Sequence, residues 1–477
     1  MKRLLAIVVL FAVAALVFSL TVARTAAAAP EPPTFAKDIA PIVFTHCAQC
    51  HRQGEVAPMS LLSYEDVRPW ARAIKTKVMN REMPPWGADD QGRKMRNDPS
   101  LSKAQIDTIV AWVDGGAVRG SDADMPPAPK FATGWTHGSE PDYVLEMPVE
   151  FDIPAEGELG VQMFYSKIPF TEDRFAEVLE IRPGNRAAVH HAGVFVVDIP
   201  EGTTLVNGRL IGADGKLIGD RGSAGLPRTE SGLPGSTKLL SWVPGRGVDR
   251  HRPNVGKRIP AGKYINWQVH YNPTGKPEKD RTRLGIWFNK ATVTHEVLIR
   301  QAGDPLATHR GGLSLYRTEG KEIEYAAEEG STRRRGATPN IPPYQENWEI
   351  IGITPVTEPI TLYAMSPHMH LRGKSLKWVI TYPDGREVTI LNVPKFDFNW
   401  QINYELAEPL HIPAGSKIAG IGVYDNSLAN RWNPAPHLEV YWSEQSWDEM
   451  YQPFTEYSVD SQDLTVLKPV TSQQQQR

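Results

Sequence analysis

Five consecutive residues, Cys47-Ala48-Gln49-Cys50-His51, set two thiols three positions apart with an imidazole beside the second. This spacing suits covalent attachment of a c-type haem: both thiols bond to the porphyrin and the histidine coordinates its iron. They are the chain's only two cysteines, so no disulfide framework competes for them. A redox Cys-x-x-Cys of the thioredoxin kind needs a βαβ surrounding, whereas this segment reads as helical. The opposite axial position calls for a thioether or imidazole after a second helix, where Met83 stands before Pro84 and Pro85. Met59 and Met79 compete with it, and the usual role of methionine is to fill a core. His46 reads as a solvated neighbour.

Histidine supplies the second set of candidates, with 13 in the chain. His190 and His191 are adjacent; in a regular strand they point to opposite faces, so both reach one ion only where the backbone bends or bulges. His368-Met369-His370 needs no distortion, because positions two apart share a strand face and two imidazoles can grip one ion. Residues 264–271 read as a strand whose apolar face is Ile265, Trp267, Val269 and Tyr271, which leaves His270 on the other with Asn266 and Gln268. A lone histidine is more often a surface or hydrogen-bonded side chain than a ligand. His137, His251, His295, His309, His411 and His437 lack a motif and are read that way.

Taken in order, these motifs resemble the copper type II, ascorbate-dependent monooxygenases, the family of peptidylglycine hydroxylating monooxygenase and dopamine β-monooxygenase. Val189-His190-His191 is similar to that family's His-His pair, and Gln268-Val269-His270-Tyr271 to its Gln-Val-His-Tyr. His368-Met369-His370-Leu371-Arg372-Gly373-Lys374 is similar to its His-x-His followed by Leu-Gly-Lys, and Asp448-Glu449-Met450 to its Asp-Glu-Met. The resemblance spans roughly residues 142 to 457. It implies an electron-storing copper on His190, His191 and His270 and an oxygen-binding copper on His368, His370 and Met450. The two would sit on two β-sandwich domains, facing one another across a solvent-filled cleft. Imidazole with a thioether suits copper and favours Cu(I), the state that reacts with O₂. Met365 and Met369 are rival thioethers, although Met369 points away from its flanking histidines on a strand.

The expected cofactors are therefore one covalent haem c and two copper ions. The expected activity is hydroxylation of a C–H bond of a small organic substrate with O₂, the haem relaying electrons in place of, or from, an ascorbate-like reductant or a redox protein. An electron-transfer or copper-binding protein without monooxygenase activity is the alternative. Two departures bear on substrate: the peptide-amidating enzyme has an arginine where Ser366 stands and a tyrosine where Phe454 stands. Its carboxylate-gripping residues are thus missing, which argues against peptide amidation. A zinc hydrolase would bring αβ alternation and carboxylate ligands, and a cupin a glutamate soon after His370; neither pattern is found.

The elements that must position these residues fall into blocks. Lys2 and Arg3, the apolar run Leu4 to Ala23 and the small residues Ala26 to Ala29 read as a secretory signal over 1–29. The expected location is periplasmic or extracellular, with a membrane anchor only if that segment stays uncleaved. Helical periodicity recurs at Ile39, Ile42 and Val43, then over Tyr64 to Asn80 through Val67, Trp70, Ile74 and Val78. It returns from Ser102, with Gln105 completing a capping box, through Ile106, Ile109, Val110 and Val113 to Gly115-Gly116. A proline-rich linker follows at 121–140, and thereafter short alternating runs broken by Gly, Pro, Asn and Asp indicate antiparallel sheets. One hairpin runs from Leu376–Tyr382 through Pro383-Asp384-Gly385 to Glu387–Leu391. The expected fold is multidomain: a small all-α c-type cytochrome domain at 31–120, then two all-β antiparallel sandwich, jelly-roll-like, domains at 141–302 and 303–465, and a disordered tail at 466–477. The charged stretch with Arg333-Arg334-Arg335 reads as a solvated loop near the second boundary. A formal charge of −3 offers no concentrated basic surface for nucleic acid.

Overall fold

A computed structural model describes residues 31–465 except 56, 58, 132–133, 158, 219–235, 245, 303–313, 319–320, 326–339 and 443–445. The signal segment 1–29, His309, the Arg333–Arg335 loop and the tail 466–477 lie outside the described residues.

The expected fold class, an all-α cytochrome domain followed by two sandwiches, is corrected. The described chain is mostly β, in several chiefly antiparallel sheets, with a single helical turn at Tyr64–Val67 and three longer but still short α-helices: α1 Ala40–His46, α2 Ala71–Met79 and α3 Lys103–Asp114. These helices do not close off a domain at 31–120. Phe35, Ile39, Val43, Val67, Ile109 and Trp112 gather in one small apolar cluster, but the chain between α2 and α3 leaves it. Trp86 and Met95 are buried in the core of the last β unit instead. Residues 89, 93 and 96 donate backbone hydrogen bonds to Asn392, Ile390 and Glu405 at 3.1, 2.8 and 2.8 Å. Helices this short offer little apolar surface, and the neighbouring sheet supplies the rest.

Helix boundaries follow local chemistry. Ser102 and Gln105 form the reciprocal capping box of α3. The stretch read as one helix from Tyr64 to Asn80 is broken: Pro69 lacks an N–H, so Arg68–Trp70 is a 3₁₀ turn and Trp70 points out, 45% exposed. Trp112, absent from the expected apolar face, is almost fully buried.

The first β unit holds β1 Tyr143–Glu146, β2 Gln162–Lys167, β3 Arg174–Arg182, β4 Val189–Val197, β5 Thr237–Trp242, β6 Val255–Ile259, β7 Tyr264–Tyr271 and β8 Arg283–Phe288. One layer runs β1-β8-β3-β6 and the other β2-β7-β4-β5. Their facing side chains, among them Leu179, Ile181, Ile286, Val194, Trp267 and Val269, make one core. The second unit holds β9 Leu298–Gln301, β10 Ser314–Thr318, β11 Lys321–Tyr325, β12 Trp348–Pro355, β13 Ile360–His368, β14 Gly373–Thr381, β15 Glu387–Val393, β16 Tyr404–Ile412, β17 Lys417–Tyr424 and β18 Gln452–Val459. Its layers run β9-β18-β13-β16 and β11-β10-β12-β17-β14-β15 around Leu362, Trp378, Ile380 and Ile412. Strand β9 lies before the expected boundary at 302 yet pairs with β18, so the change of sheet falls ahead of it. Much of the linker docks on the first unit: Trp135 is buried against Trp287, and Glu180 accepts the backbone N–H groups of Thr136 and His137.

Candidate metal centre

The His-His pair owes its geometry to a bulge. Strands β4 and β7 pair His191 with His270, then Val189 with Tyr271, so His190 is the extra residue on its strand. The bulge swings two adjacent imidazoles to the same side, where an unbroken strand would separate them. The ligand atoms of His190, His191 and His270 all lie within 4.8 Å of one another. His190 Nδ1 and His191 Nδ1 are 3.0 Å apart. Metal–nitrogen bonds of about 2 Å place ligand nitrogens roughly 3 to 4 Å apart, so the set fits one ion. His270 Nδ1 is a buried polar atom without a hydrogen-bond partner, which fits the role of a metal ligand.

The second set lies where β13 ends. His368 Nδ1 donates to Gln401 Oε1, which fixes the tautomer and leaves Nε2 with its lone pair free, 3.2 Å from Met450 Sδ. His370 is buried, its ring 5.3 Å from that of His368, and its Nδ1 lies 3.3 Å from the Asp448 carbonyl. Met365 and Met369 are buried in the second unit's core. The connection from His370 to Met450 is made by Glu449. Its Oε2 accepts the N–H groups of His370 and Met450 at 2.8 and 3.2 Å, and its Oε1 that of Arg372 at 2.6 Å. Gly373 is needed beside this loop because a Cβ there would meet Met369 Cβ at 2.7 Å.

The two sets touch. The His191 and His368 rings are 6.3 Å apart, and Phe398 packs on His190 and His370 at 5.0 and 5.8 Å. Asn399, next in that loop, places Oδ1 3.4 Å from His190 Nε2. The solvent-filled cleft implied by the resemblance is therefore replaced by direct packing between the units. His190, His191, His368 and Met450 are half-buried.

Burial keeps the imidazoles neutral. It pushes His270 and His368 down to about 3, with neighbouring histidines adding to the effect, and lowers His190 and His191 as well. Neutral imidazole is the form that binds metal. Glu449 moves the other way, pushed up to about 8 by burial against the pull of its amide donors and Arg372.

In the haem-type segment, Cys47, Cys50 and His51 occupy the turns after α1. Burial raises the Cys47 thiol to about 12 and lowers the His51 imidazole, whose Nδ1 lacks a hydrogen-bond partner. Met83 sits half-buried in the loop after α2, while Met59 is the thioether packed in the same apolar cluster as Cys47. Glu55 accepts from Arg52 at 2.9 Å and from Arg186 at 2.7 Å, tying this segment to the loop that leads into His190.

Of the remaining histidines, His251 is buried 3.4 Å from Glu456, His411 pairs with Asp460 at 2.7 Å, and His437 is exposed. Sequence reasoning missed Gln401, Phe398, Asn399 and the role of Glu449. Only Glu449 had a signal, because it lies inside the Asp448-Glu449-Met450 motif.

No protein-family model matches the chain, and the search of curated proteins finds no match. Among solved structures, a xanthan lyase of Paenibacillus is similar over 72% of this chain and 28% of its own length, at 10% identity and a TM-score of 0.16. The oxalate decarboxylase of Bacillus subtilis, described with Mn(II) centres, covers 71% of this chain and 81% of its own, at 11% identity and a TM-score of 0.12. Likenesses this low bear on neither fold nor activity.

Proposed function

We propose that this protein is an exported copper-dependent monooxygenase that hydroxylates a C–H bond of a small organic substrate, with a covalent haem at Cys47, Cys50 and His51 as electron relay. The observation that carries the reading is the convergence of five imidazoles and one thioether, drawn from two β units, into adjoining donor sets. Nitrogen-only ligation at His190, His191 and His270 beside mixed nitrogen and sulfur at His368, His370 and Met450 is a copper-type division of donors. When bound, two coppers and the haem would supply, one at a time, the two electrons required by RH + O₂ + 2e⁻ + 2H⁺ → ROH + H₂O.

The chain's own residues prepare that chemistry. Gln401 orients the His368 ring, and the Asp448 carbonyl lies against His370 Nδ1. Glu449 fixes the two backbone segments that carry His370 and Met450. Phe398 covers His190 and His370 and excludes water from the ring faces. The close approach of His191 to His368 favours electron exchange between the sets without a domain movement.

The tight packing of the histidines also favours a second reading, a copper-holding electron-transfer protein with no substrate. Metal and haem analysis of the purified full chain, with electron paramagnetic resonance of its oxidised form, tests the shared part: two coppers and one haem are expected. Zinc without copper would refute both. Oxygen consumption coupled to a hydroxylated product separates them.

A further inference from the structure

The loop 394–403 joins β15 to β16 and carries Phe398, Asn399 and Gln401 onto the imidazoles of both donor sets. The backbone hydrogen bonds of its tip, from Trp400 to the Asp397 carbonyl at 2.9 Å and from Ile402 to the Trp400 carbonyl at 3.0 Å, stay inside the loop. Asn399 is likewise turned back on Asp397, whose Oδ1 accepts its backbone N–H at 2.9 Å and its side-chain amide at 3.0 Å. A loop bonded to itself takes its place from the scaffold that holds its two roots.

One distant stretch, residues 86–97 between α2 and α3, grips both roots. At the first, the Asp89 N–H donates to the Asn392 carbonyl at 3.1 Å, and the Asn392 amide donates back to Asp89 Oδ2 at 2.7 Å. Gly87 approaches so closely there that a Cβ would stand 2.8 Å from the Lys395 carbonyl oxygen. At the second root the Asn97 side chain behaves like a peptide group. Its Nδ2 donates to the Asn403 carbonyl at 2.6 Å, and its Oδ1 accepts the Glu405 N–H at 3.0 Å. The Tyr404 hydroxyl donates to the Trp86 carbonyl, and the two rings pack with centroids 4.6 Å apart. The second unit adds the Lys374 carbonyl, which accepts the Phe396 N–H at 3.0 Å, and Ser366, which donates to Asn403 Oδ1 at 2.7 Å. Strands β15 and β16 are edges of opposite layers, so the stretch crosses from one layer to the other. The Arg93 N–H donates to the Ile390 carbonyl at 2.8 Å, and Met95 bridges to Leu406. Two sheet edges are covered by the one segment.

We propose that residues 86–97 are a strap that positions the second donor set, Trp86 and Asn97 acting through loop 394–403 to hold Gln401 against His368 and Phe398 over His190 and His370. An outer partner that fixes a ligand's ring orientation is itself useful only when its own backbone is fixed. The candidate haem thioether Met83 lies three positions before Trp86, so a few residues join the haem-type segment to the loop over the imidazoles. The effect of the strap on a bound metal rests on the copper reading; its hold on the loop does not.

Hydrogen exchange of the full-length protein tests it in Asn97→Ala, Tyr404→Phe and the double variant, with Lys94→Ala, an exposed side chain on the same strap, as control. The double variant loses three hydrogen bonds at the second root, so peptides over 397–403 should exchange at least about tenfold faster than in the parent. Peptides of β12 and β17 should keep the parent's rates, and Lys94→Ala should match the parent throughout. In the oxidised, copper-loaded double variant the paramagnetic spectrum of the ion held by His368, His370 and Met450 should change, which a purely stabilising strap would not cause in folded protein. Parent-like exchange over 397–403, or equal quickening in β12 and β17, would overturn the strap. A quickened loop with an unchanged spectrum would overturn the positioning role. Failure of copper to load while the loop still quickens would sink the copper reading and leave the strap's hold on the loop standing.

Discussion

Glu449→Gln isolates the residue that joins the two halves of the second donor set. The carboxylate accepts three backbone N–H groups, two on Oε2 and one on Oε1. A glutamine keeps one carbonyl oxygen and turns an N–H₂ toward the remaining donors, so one or two bonds are lost. Below about pH 8 burial keeps Glu449 mostly neutral, so each hydrogen bond contributes about 0.5–1.5 kcal/mol and the local cost is about 0.5–3 kcal/mol. A chain of several units need not unfold in one step, so a global melting temperature is the wrong probe. Hydrogen exchange of peptides spanning 365–374 and 448–452, with a Cu(I) competition titration, reads the effect directly. Exchange should quicken in those peptides, and one copper equivalent should weaken by about tenfold or more. The equivalent held by His190, His191 and His270 should be unchanged. Unaltered exchange and affinity in Glu449→Gln would refute the positioning role.

The remaining expectations concern other parts of the molecule. His270→Ala should remove one copper equivalent and leave the other, read by metal analysis after dialysis. Copper affinity of the folded protein should stay nearly flat from pH 7 to 5, because His270 and His368, lowered to about 3, carry no proton to displace there. In the metal-free protein these two groups bind fewer protons folded than unfolded, so their contribution is complete above about pH 6.5 and is lost as pH falls toward 3; acid titration followed by tryptophan fluorescence checks this. Trp86→Ala should destabilise the second β unit by about 3–5 kcal/mol although it lies in the N-terminal third, measured by urea unfolding. Cys47→Ser with Cys50→Ser should abolish covalent haem, read by absorbance on a denaturing gel.

Local rules served the site better than the architecture. The condition that adjacent histidines share an ion only at a bulge could be stated from residues 190 and 191 alone, and β4 is bulged there. The face of β7 that carries His270 was legible from alternation, although that face too is largely buried, its Tyr264 end against Leu210 and Ile218. The fold class was not legible, because nothing local in 86–97 announces that Trp86 and Met95 belong to a core built some 300 residues later. Trp70 was misread because helical spacing ignores what Pro69 does to the backbone. Phe398, Asn399 and Gln401 reach the histidines through a loop without periodicity.

The tether between α2 and α3 constrains the order in which the molecule can be made. Asp89 and Arg96 find side-chain partners in Asn392 and Glu405, 303 and 309 positions downstream. Contacts at such separation form late, and they cannot form at all until those strands have been synthesised. A nascent chain therefore carries Trp86 and Met95 uncovered through most of its synthesis, a stretch in which a holding chaperone would find its handle. Any modification of Cys47 and Cys50 completed in that interval acts while the 86–96 stretch downstream still lacks its partners in the last sheet.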